Sequence, residues 1–330
     1  VPPRPKALLA MRAEHLAMLF PPPLLRRLSA LADLDVTLVA ERFDDPRLAG
    51  VLPGVEVLIT GWGCPPLDGA VLAAAPALRA VLHTAGSVKG MVTPACWERG
   101  MLVSSAADAN AVPVAEYTVG AILLAGKGVF ALRERYRSER SFVLAAIQPS
   151  VGNFGRRVGV VGASRIGRRV LALLAPYDFD VCLYDPYTRV EGVRQVGLEE
   201  LLSTSDIVTL HAPGTEETHH LLDRDRLALM PDGAVLVNTA RGSLVDTEAL
   251  AGELASGRLS AILDVTDPEP LPPGSPLFDL PNAFLTPHVA GSHGNELARM
   301  GASVLDELDR LIAGTPLAHR VTHDDLERAA

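Results

Sequence analysis

Arg157-Val158-Gly159-Val160-Val161-Gly162-Ala163-Ser164-Arg165-Ile166-Gly167 is the stretch on which the fold turns. Its first five residues are a short apolar run with the character of a buried strand. Gly162 to Gly167 make a glycine-bearing turn, after which Ile166, Val170, Leu173 and Leu174 recur at helical spacing. Strand, tight turn and helix, in that order, are the setting in which a G-x-G-x-x-G pattern binds a dinucleotide. The helix N-terminus offers N–H groups and the positive end of its dipole to a pyrophosphate, and the turn lets the backbone come close. Ser164 stands at the middle glycine position; its hydroxyl is a candidate donor to the pyrophosphate, and Arg165 a candidate charge-assisted contact. The next apolar run, Val181-Cys182-Leu183-Tyr184, ends in Asp185. That is roughly 20 residues beyond the glycines, where an acid meets the ribose hydroxyls. A carboxylate there repels a 2′-phosphate, so the expected cofactor is NAD rather than NADP.

The alternation continues outward. Downstream, Ile207–Leu210, Ala234–Val237, Ala261–Asp264 and Ala283–Thr286 read as further strands. Upstream, Lys6–Ala10, Val36–Ala40, Val55–Ile59, Ala80–His83 and Met101–Ser105 do the same, with helical segments between several of them. A single long helix is expected from about Val114 to about Tyr136, then a linker over Pro149–Gly155. The last forty residues read as helical and polar, ending in a charged tail. Two α/β domains follow from this pattern.

Ligands of open parallel sheets sit beyond the carboxyl ends of the strands, so the residues there are the candidates for chemistry. They are His211-Ala212-Pro213, Asn238-Thr239-Ala240-Arg241-Gly242, Asp264 with Glu269 soon after, and Thr286-Pro287-His288. Removing a hydride from an alcohol carbon requires a base for the hydroxyl proton, and imidazole, with an ordinary pKa of ~6.5, suits it. Glu269 is placed to orient His288. Arg241 offers a planar fork for a substrate carboxylate. Asp264 is a candidate to lie beside a nicotinamide and stabilise its oxidised cation. His83 ends a strand just before Thr84-Ala85-Gly86-Ser87, a small-residue loop able to turn amides toward an anion. His15, His219, His220, His293, His319 and His323 read as surface or loop residues.

Bulk properties set the bounds. The chain has 330 residues, enough for two domains, and 48% are apolar but only 5% aromatic, so Ala, Leu and Val must build the cores. A formal charge of −9 opposes a nucleic-acid partner and an acidic membrane surface. Cys64, Cys96 and Cys182 are too few and too scattered for a disulfide framework or a zinc motif, which fits the cytoplasm. Pro21-Pro22-Pro23 interrupts the early apolar stretch, so a signal peptide is not expected, and no uninterrupted apolar run spans a bilayer.

Taken together, these stretches resemble the D-isomer-specific 2-hydroxyacid dehydrogenase family. The resemblance rests on Asn110–Thr118, the Gly162–Gly167 turn, Asn238–Asp246, Ile262–Val265 with Glu269-Pro270, and Thr286–Gly291, in the family's order and spacing. It implies an α/β protein: a Rossmann-type doubly wound domain over 109–293, inserted in a flavodoxin-like substrate domain made of 1–108 and 294–330. It implies NAD(H)-dependent interconversion of a small D-2-hydroxy acid and its 2-keto acid, with Arg241, Glu269 and His288 as the catalytic trio. Cofactor contacts are implied at Gly162, Ser164, Arg165, Ile166, Gly167, Asp185, His211, Ala212, Pro213, Thr218, Thr239, Ala240, Asp264, His288 and Gly291. Substrate contacts are implied at Ala85, Gly86, Ser87 and Arg241. No metal is expected. Family members pair as homodimers and work by closing a cleft over the hydride path. The chain departs from the family at Ser164, at Thr266 where an aromatic is commoner, and in the loop running to Lys89, which lacks a second glycine and an acid. Trp62 and Lys89 are candidates to reshape the substrate pocket. A different class on the same scaffold is an NAD(H)-sensing corepressor-like protein; the retained trio favours the enzyme.

Overall fold

The computed structural model describes residues 4–142 and 151–328. The chain folds as two compact units, one formed by residues up to Asn110 together with those from Ser292 onward, the other by Ala111–Gly291.

In the first unit, β1 (Ala7–Ala10) is followed by α1 (Leu16–Leu19), α2 (Pro22–Leu31), β2 (Val39–Ala40), β3 (Val57–Thr60), α3 (Gly69–Ala74), β4 (Ala80–His83), α4 (Pro94–Glu98) and β5 (Leu102–Ser105). The parallel order β2-β1-β3-β4-β5 is the flavodoxin-like order. Strands buried on both faces read as nearly continuous apolar runs, and β1, β3 and β4 are buried throughout. Alternate residues serve opposite layers. Leu9, Ile59 and Leu82 pack with the C-terminal helix, and Leu8, Leu58 and Val81 with the layer holding Leu72 and Cys96. The expected strand Val36–Ala40 shrinks to two residues, because Val36 and Thr37 are taken up in a turn in which Asp35 accepts from the Thr37 amide and hydroxyl.

The second unit begins inside α5 (Ala107–Gly126), followed by α6 (Val129–Glu139). The single long helix expected here is two, broken at Lys127-Gly128, where Gly128 adopts a left-handed φ of 62°. α5 is long and apolar enough to cross a bilayer by length and composition, and 56% of it is buried in protein. Its Ala115, Val119 and Ile122 pack on Val158, Val160 and Val237. The first two residues of the expected linker, Pro149 and Ser150, lie outside the described residues.

Then come β6 (Arg157–Val161), α7 (Arg165–Leu174), β7 (Asp180–Tyr184), β8 (Arg194–Gln195), α8 (Leu198–Thr204) and β9 (Ile207–Leu210). α9 (Arg224–Leu229), β10 (Val235–Asn238), α10 (Thr247–Ala255), β11 (Ser260–Leu263) and β12 (Ala283–Leu285) complete the unit. The sheet is parallel throughout, in the order β8-β7-β6-β9-β10-β11-β12, the doubly wound Rossmann order with a seventh strand added. Strand order reverses between β6 and β9, so the ligand crevice is expected beyond their carboxyl ends.

The chain returns to the first unit through α11 (Leu297–Ile312), β13 (Arg320–Val321) and α12 (His323–Arg328). The polar tail expected from sequence is in part core. α11 buries Leu297, Met300, Val304, Leu305 and Leu308, and β13 adds antiparallel to β5. Glu307, 1% exposed, accepts the amides of Ala318 and His319 and so steers the chain into that strand.

Candidate active site

At the switch point of the second sheet, β6 runs into Gly162, whose φ of +98° is a left-handed value. A Cβ there would sit 2.7 Å from the amide of Ala212 and from the carbonyl carbon of His211, so the turn is pressed against the end of β9. A Cβ on Gly167 would overlap the carbonyl of Gly162, which holds α7 tightly on the turn. Ser164, between them, has φ −61°, open to any residue, and caps α7 by accepting from the Gly167 amide at 3.3 Å. A serine at the middle position is thus accommodated by the backbone. Asp185 accepts from the Ala163 amide at 2.7 Å and from the amides of Tyr187 and Thr188, tying the turn after β6 to the turn after β7. Two glycines that admit no side chain, a capped ten-residue helix and an acid beside the turn form a cradle that fits a dinucleotide pyrophosphate and ribose.

Beyond β10, Asn238 shapes the loop that carries the guanidinium. Its Oδ1 accepts from the Ala240 amide and its Nδ2 donates to the Arg241 carbonyl at 2.8 Å. Thr239 meets Thr118 of α5 at 2.8 Å between hydroxyls. Gly242 lies so close to Thr266 that a Cβ would overlap its carbonyl group, and a Cβ on Gly214 would sit 3.0 Å from Cγ of the Arg241 stem. Among the described residues, the Arg241 side chain makes one hydrogen bond, to the Ala240 carbonyl at 2.6 Å. Burial lowers the guanidinium from its ordinary value, and the Glu269 carboxylate opposes that shift. Arginine stays charged regardless, so a half-buried cation with few partners favours an anion at this place.

Asp264, 2% exposed, ends β11 and builds the loop that carries the imidazole. Its carboxylate accepts from the Thr286 hydroxyl at 2.6 Å and from the amides of Val289 and Ala290, and its carbonyl accepts from the His288 amide. Tyr117 of α5 braces Thr286 at 2.7 Å. His288 is thereby held at φ +55°, an unusual value for a side-chain residue. Its Nδ1 lies 2.5 Å from Glu269 Oε1. The bond to the carboxylate fixes the tautomer and orientation of the ring. Glu269 thus links the trio: it is bonded to His288 and acts electrostatically on Arg241.

The other expected contacts fall into two groups. His211, Ala212 and Pro213 follow β9 at the switch point, and Thr218 closes their loop by donating to the Pro213 carbonyl at 2.5 Å. Ile166 lies in the first turn of α7, and Gly291 ends the unit. Ala85, Gly86 and Ser87 belong to the first unit. Ala85 is 1% exposed and has only its backbone to offer, whereas Ser87 is exposed and accepts from the Lys89 amide. Sequence reasoning named Asn238, Thr286 and Tyr117 only as members of longer stretches and gave them no role, and it passed over Gly214. An asparagine at a strand end, followed two residues later by the amide it binds, is a signal that could have been read.

Each unit buries one neutral histidine. His83 lies 2.9 Å from the Thr60 hydroxyl and burial pushes it down to about 4, opposed by a backbone bond at Ser87. His211 meets Thr209 at 3.0 Å through Nε2, has no partner for Nδ1 among the described residues, and is pushed by burial down to about 3. Because the unfolded chain takes up protons near pH 6.5 and the folded chain does not, stability is full above that pH. It declines by about 1.4 kcal/mol per pH unit for each histidine as pH falls toward the folded values. Thermal melts of wild type and His211→Asn between pH 4 and 7 check this. The variant is expected to show the shallower acid loss, and equal slopes would exclude His211 as a source.

A pyrophosphate cradle at a doubly wound switch point, with imidazole, carboxylate and guanidinium along the same strand ends, defines a nicotinamide-dinucleotide domain. The profile of "D-isomer specific 2-hydroxyacid dehydrogenase, NAD binding domain" matches residues 119–290. The chain is 34% identical to a glyoxylate reductase of Korarchaeum cryptofilum over 74% of its length and 76% of that protein. It is also 34% identical to a D-3-phosphoglycerate dehydrogenase of Mycobacterium leprae, over 82% of the chain but 52% of that protein, so it spans about half the length of that relative. Among solved structures, the TT0316 protein of Thermus thermophilus superposes with a TM-score of 0.75 at 32% identity, covering 96% of this chain and 100% of that one. The chain belongs to the D-isomer-specific 2-hydroxyacid dehydrogenase family.

Proposed function

We propose that the protein is an NAD(H)-dependent oxidoreductase that interconverts a small D-2-hydroxy acid and its 2-keto acid. The observation that carries this reading is the hydrogen-bonded His288–Glu269 pair, with a half-buried Arg241 guanidinium within electrostatic reach of Glu269, in the same unit as the dinucleotide cradle. When bound, the nicotinamide supplies the hydride donor or acceptor. Arg241 holds the substrate carboxylate in its fork. His288 gives its Nε2 proton to the carbonyl oxygen in reduction and takes it back from the hydroxyl in oxidation. Glu269 keeps the imidazole in the required tautomer and orientation. Gly86 and Ser87, with the Ala85 backbone, are assigned to the substrate. A cytoplasmic homodimer is the accompanying assignment for place and assembly.

The relatives named above point to glyoxylate and to the keto acid of 3-phosphoglycerate as first candidates. NADH oxidation with those two, pyruvate, hydroxypyruvate and phenylpyruvate tests the reading. Saturable turnover with at least one is expected. Tight NADH binding without turnover on any would favour the sensor instead. Asp185 is assigned to cofactor choice, since its carboxylate opposes a 2′-phosphate. Asp185→Ala is expected to raise the ratio of kcat/KM with NADPH to that with NADH by about tenfold, or ~1.4 kcal/mol. An unchanged ratio would release Asp185 from that role.

A further inference from the structure

We propose that His219, His220 and Asp267 form a binding site for a divalent transition-metal ion of the zinc class, in the second unit and apart from the dehydrogenase trio. One ligand atom from each of the three side chains lies within 4.8 Å of the others. The His219 and His220 rings are stacked, with centroids 4.0 Å apart and planes 25° from parallel. Neighbouring residues rarely present both side chains on one side. Here His220 does so by adopting φ +49°, a left-handed value that costs a side-chain residue free energy. Its amide is anchored to the Ser243 carbonyl at 2.8 Å. Asp267 is fixed through its backbone, which lies against Gly242 and whose carbonyl accepts from the Thr247 hydroxyl at 2.7 Å. Among the described residues, none of the three side chains makes a hydrogen bond or an ion pair, so their donor atoms are unclaimed.

Two imidazoles and one carboxylate make a borderline nitrogen–oxygen donor set. It suits zinc, cobalt, nickel or copper and disfavours magnesium and calcium, which prefer all-oxygen shells. Three protein ligands leave a fourth position for water. The site is half-exposed, so an ion can enter from solvent, and the preformed ring pair lowers the ordering cost of binding.

The test is a titration of the chelator-treated full chain with Zn²⁺ in competition with a chromophoric chelator, repeated with Co²⁺ to read its visible absorption. One ion per chain is expected. His219→Gln and Asp267→Asn are each expected to weaken binding by at least about tenfold. So is His220→Asn, chosen because asparagine tolerates the left-handed backbone, and far-UV dichroism should confirm that each variant is folded. His288→Ala, which removes the imidazole–carboxylate pair of the trio, should bind zinc like wild type. Absence of saturable one-to-one binding, undiminished binding in all three site variants, or loss of binding in His288→Ala would each overturn the proposal. The readout is metal occupancy, so it stands or falls independently of any dehydrogenase activity.

Discussion

Replacing His288 with alanine is expected to lower turnover of a 2-keto acid by about 10²–10⁴-fold while leaving NADH affinity largely intact. The imidazole is the only group of the trio able to deliver and recover a proton near neutral pH, since Arg241 does not titrate there. Its position is over-determined. Asp264 takes the Val289 and Ala290 amides and the Thr286 hydroxyl, its carbonyl takes the His288 amide, and Glu269 takes Nδ1. Truncation at Cβ leaves every one of the backbone bonds in place, so the loss falls on proton transfer and not on the loop. The dinucleotide cradle, formed by Gly162, Ser164, Gly167 and Asp185, makes no use of the ring. Steady-state NADH oxidation and a fluorescence titration of NADH separate the two effects. Wild-type turnover in the variant would remove His288 from the chemistry, and a collapse of NADH binding would give it a different job.

Gly242→Ala is expected to cost about 3 kcal/mol or more, lowering Tm by about 6–12 °C, and to reduce kcat/KM by about 10²-fold. The added methyl would overlap the Thr266 carbonyl and lie 2.6 Å from the Asp267 amide nitrogen. Both are backbone, and Val265 just before them is 2% exposed, so no flexible side chain can yield. The two loops must separate, and with them Arg241 and Glu269, which they carry. Gly252→Ala is the matched control. It lies inside α10 with nothing within 4 Å of the new methyl, and there alanine should stabilise by about 0.5–1 kcal/mol. Calorimetry and keto-acid reduction on both variants read the contrast. Similar melting points for the two would show that the loops slide apart at little cost.

Much of this architecture is legible in the chain because parallel strands buried on both faces announce themselves as nearly continuous apolar runs, as Ala7–Ala10 and Val158–Val161 do. The Arg241, Glu269 and His288 positions are legible for a related reason: a doubly wound sheet gathers whatever follows its strands along one edge. Less visible is anything set by tertiary fit. Val114–Tyr136 carries a continuous helical pattern, and only the left-handed Gly128 divides it. Asp264 reads from sequence as a neighbour of the nicotinamide; in the structure its carboxylate accepts three bonds from the loop after β12, and local sequence does not tell which donors a strand-end acid will meet. His219 and His220 read as loop residues, since nothing in the order of residues announces that Asp267 lies beside them.

Asn110 and Ser292 close on each other through the Asn110 carboxamide, which accepts from the Ser292 amide at 2.8 Å. Everything between them enters and leaves at a single doorway. For the chain as it collapses, this matters more than the strength of one bond. Joining β5 to α11 across an unfolded insertion would mean closing a very long loop, at an entropic penalty that grows with the logarithm of its length. Once the insertion has condensed with its own ends side by side, the same junction spans a few residues. The inserted unit is thereby favoured to form first, and the discontinuous one to be completed after it.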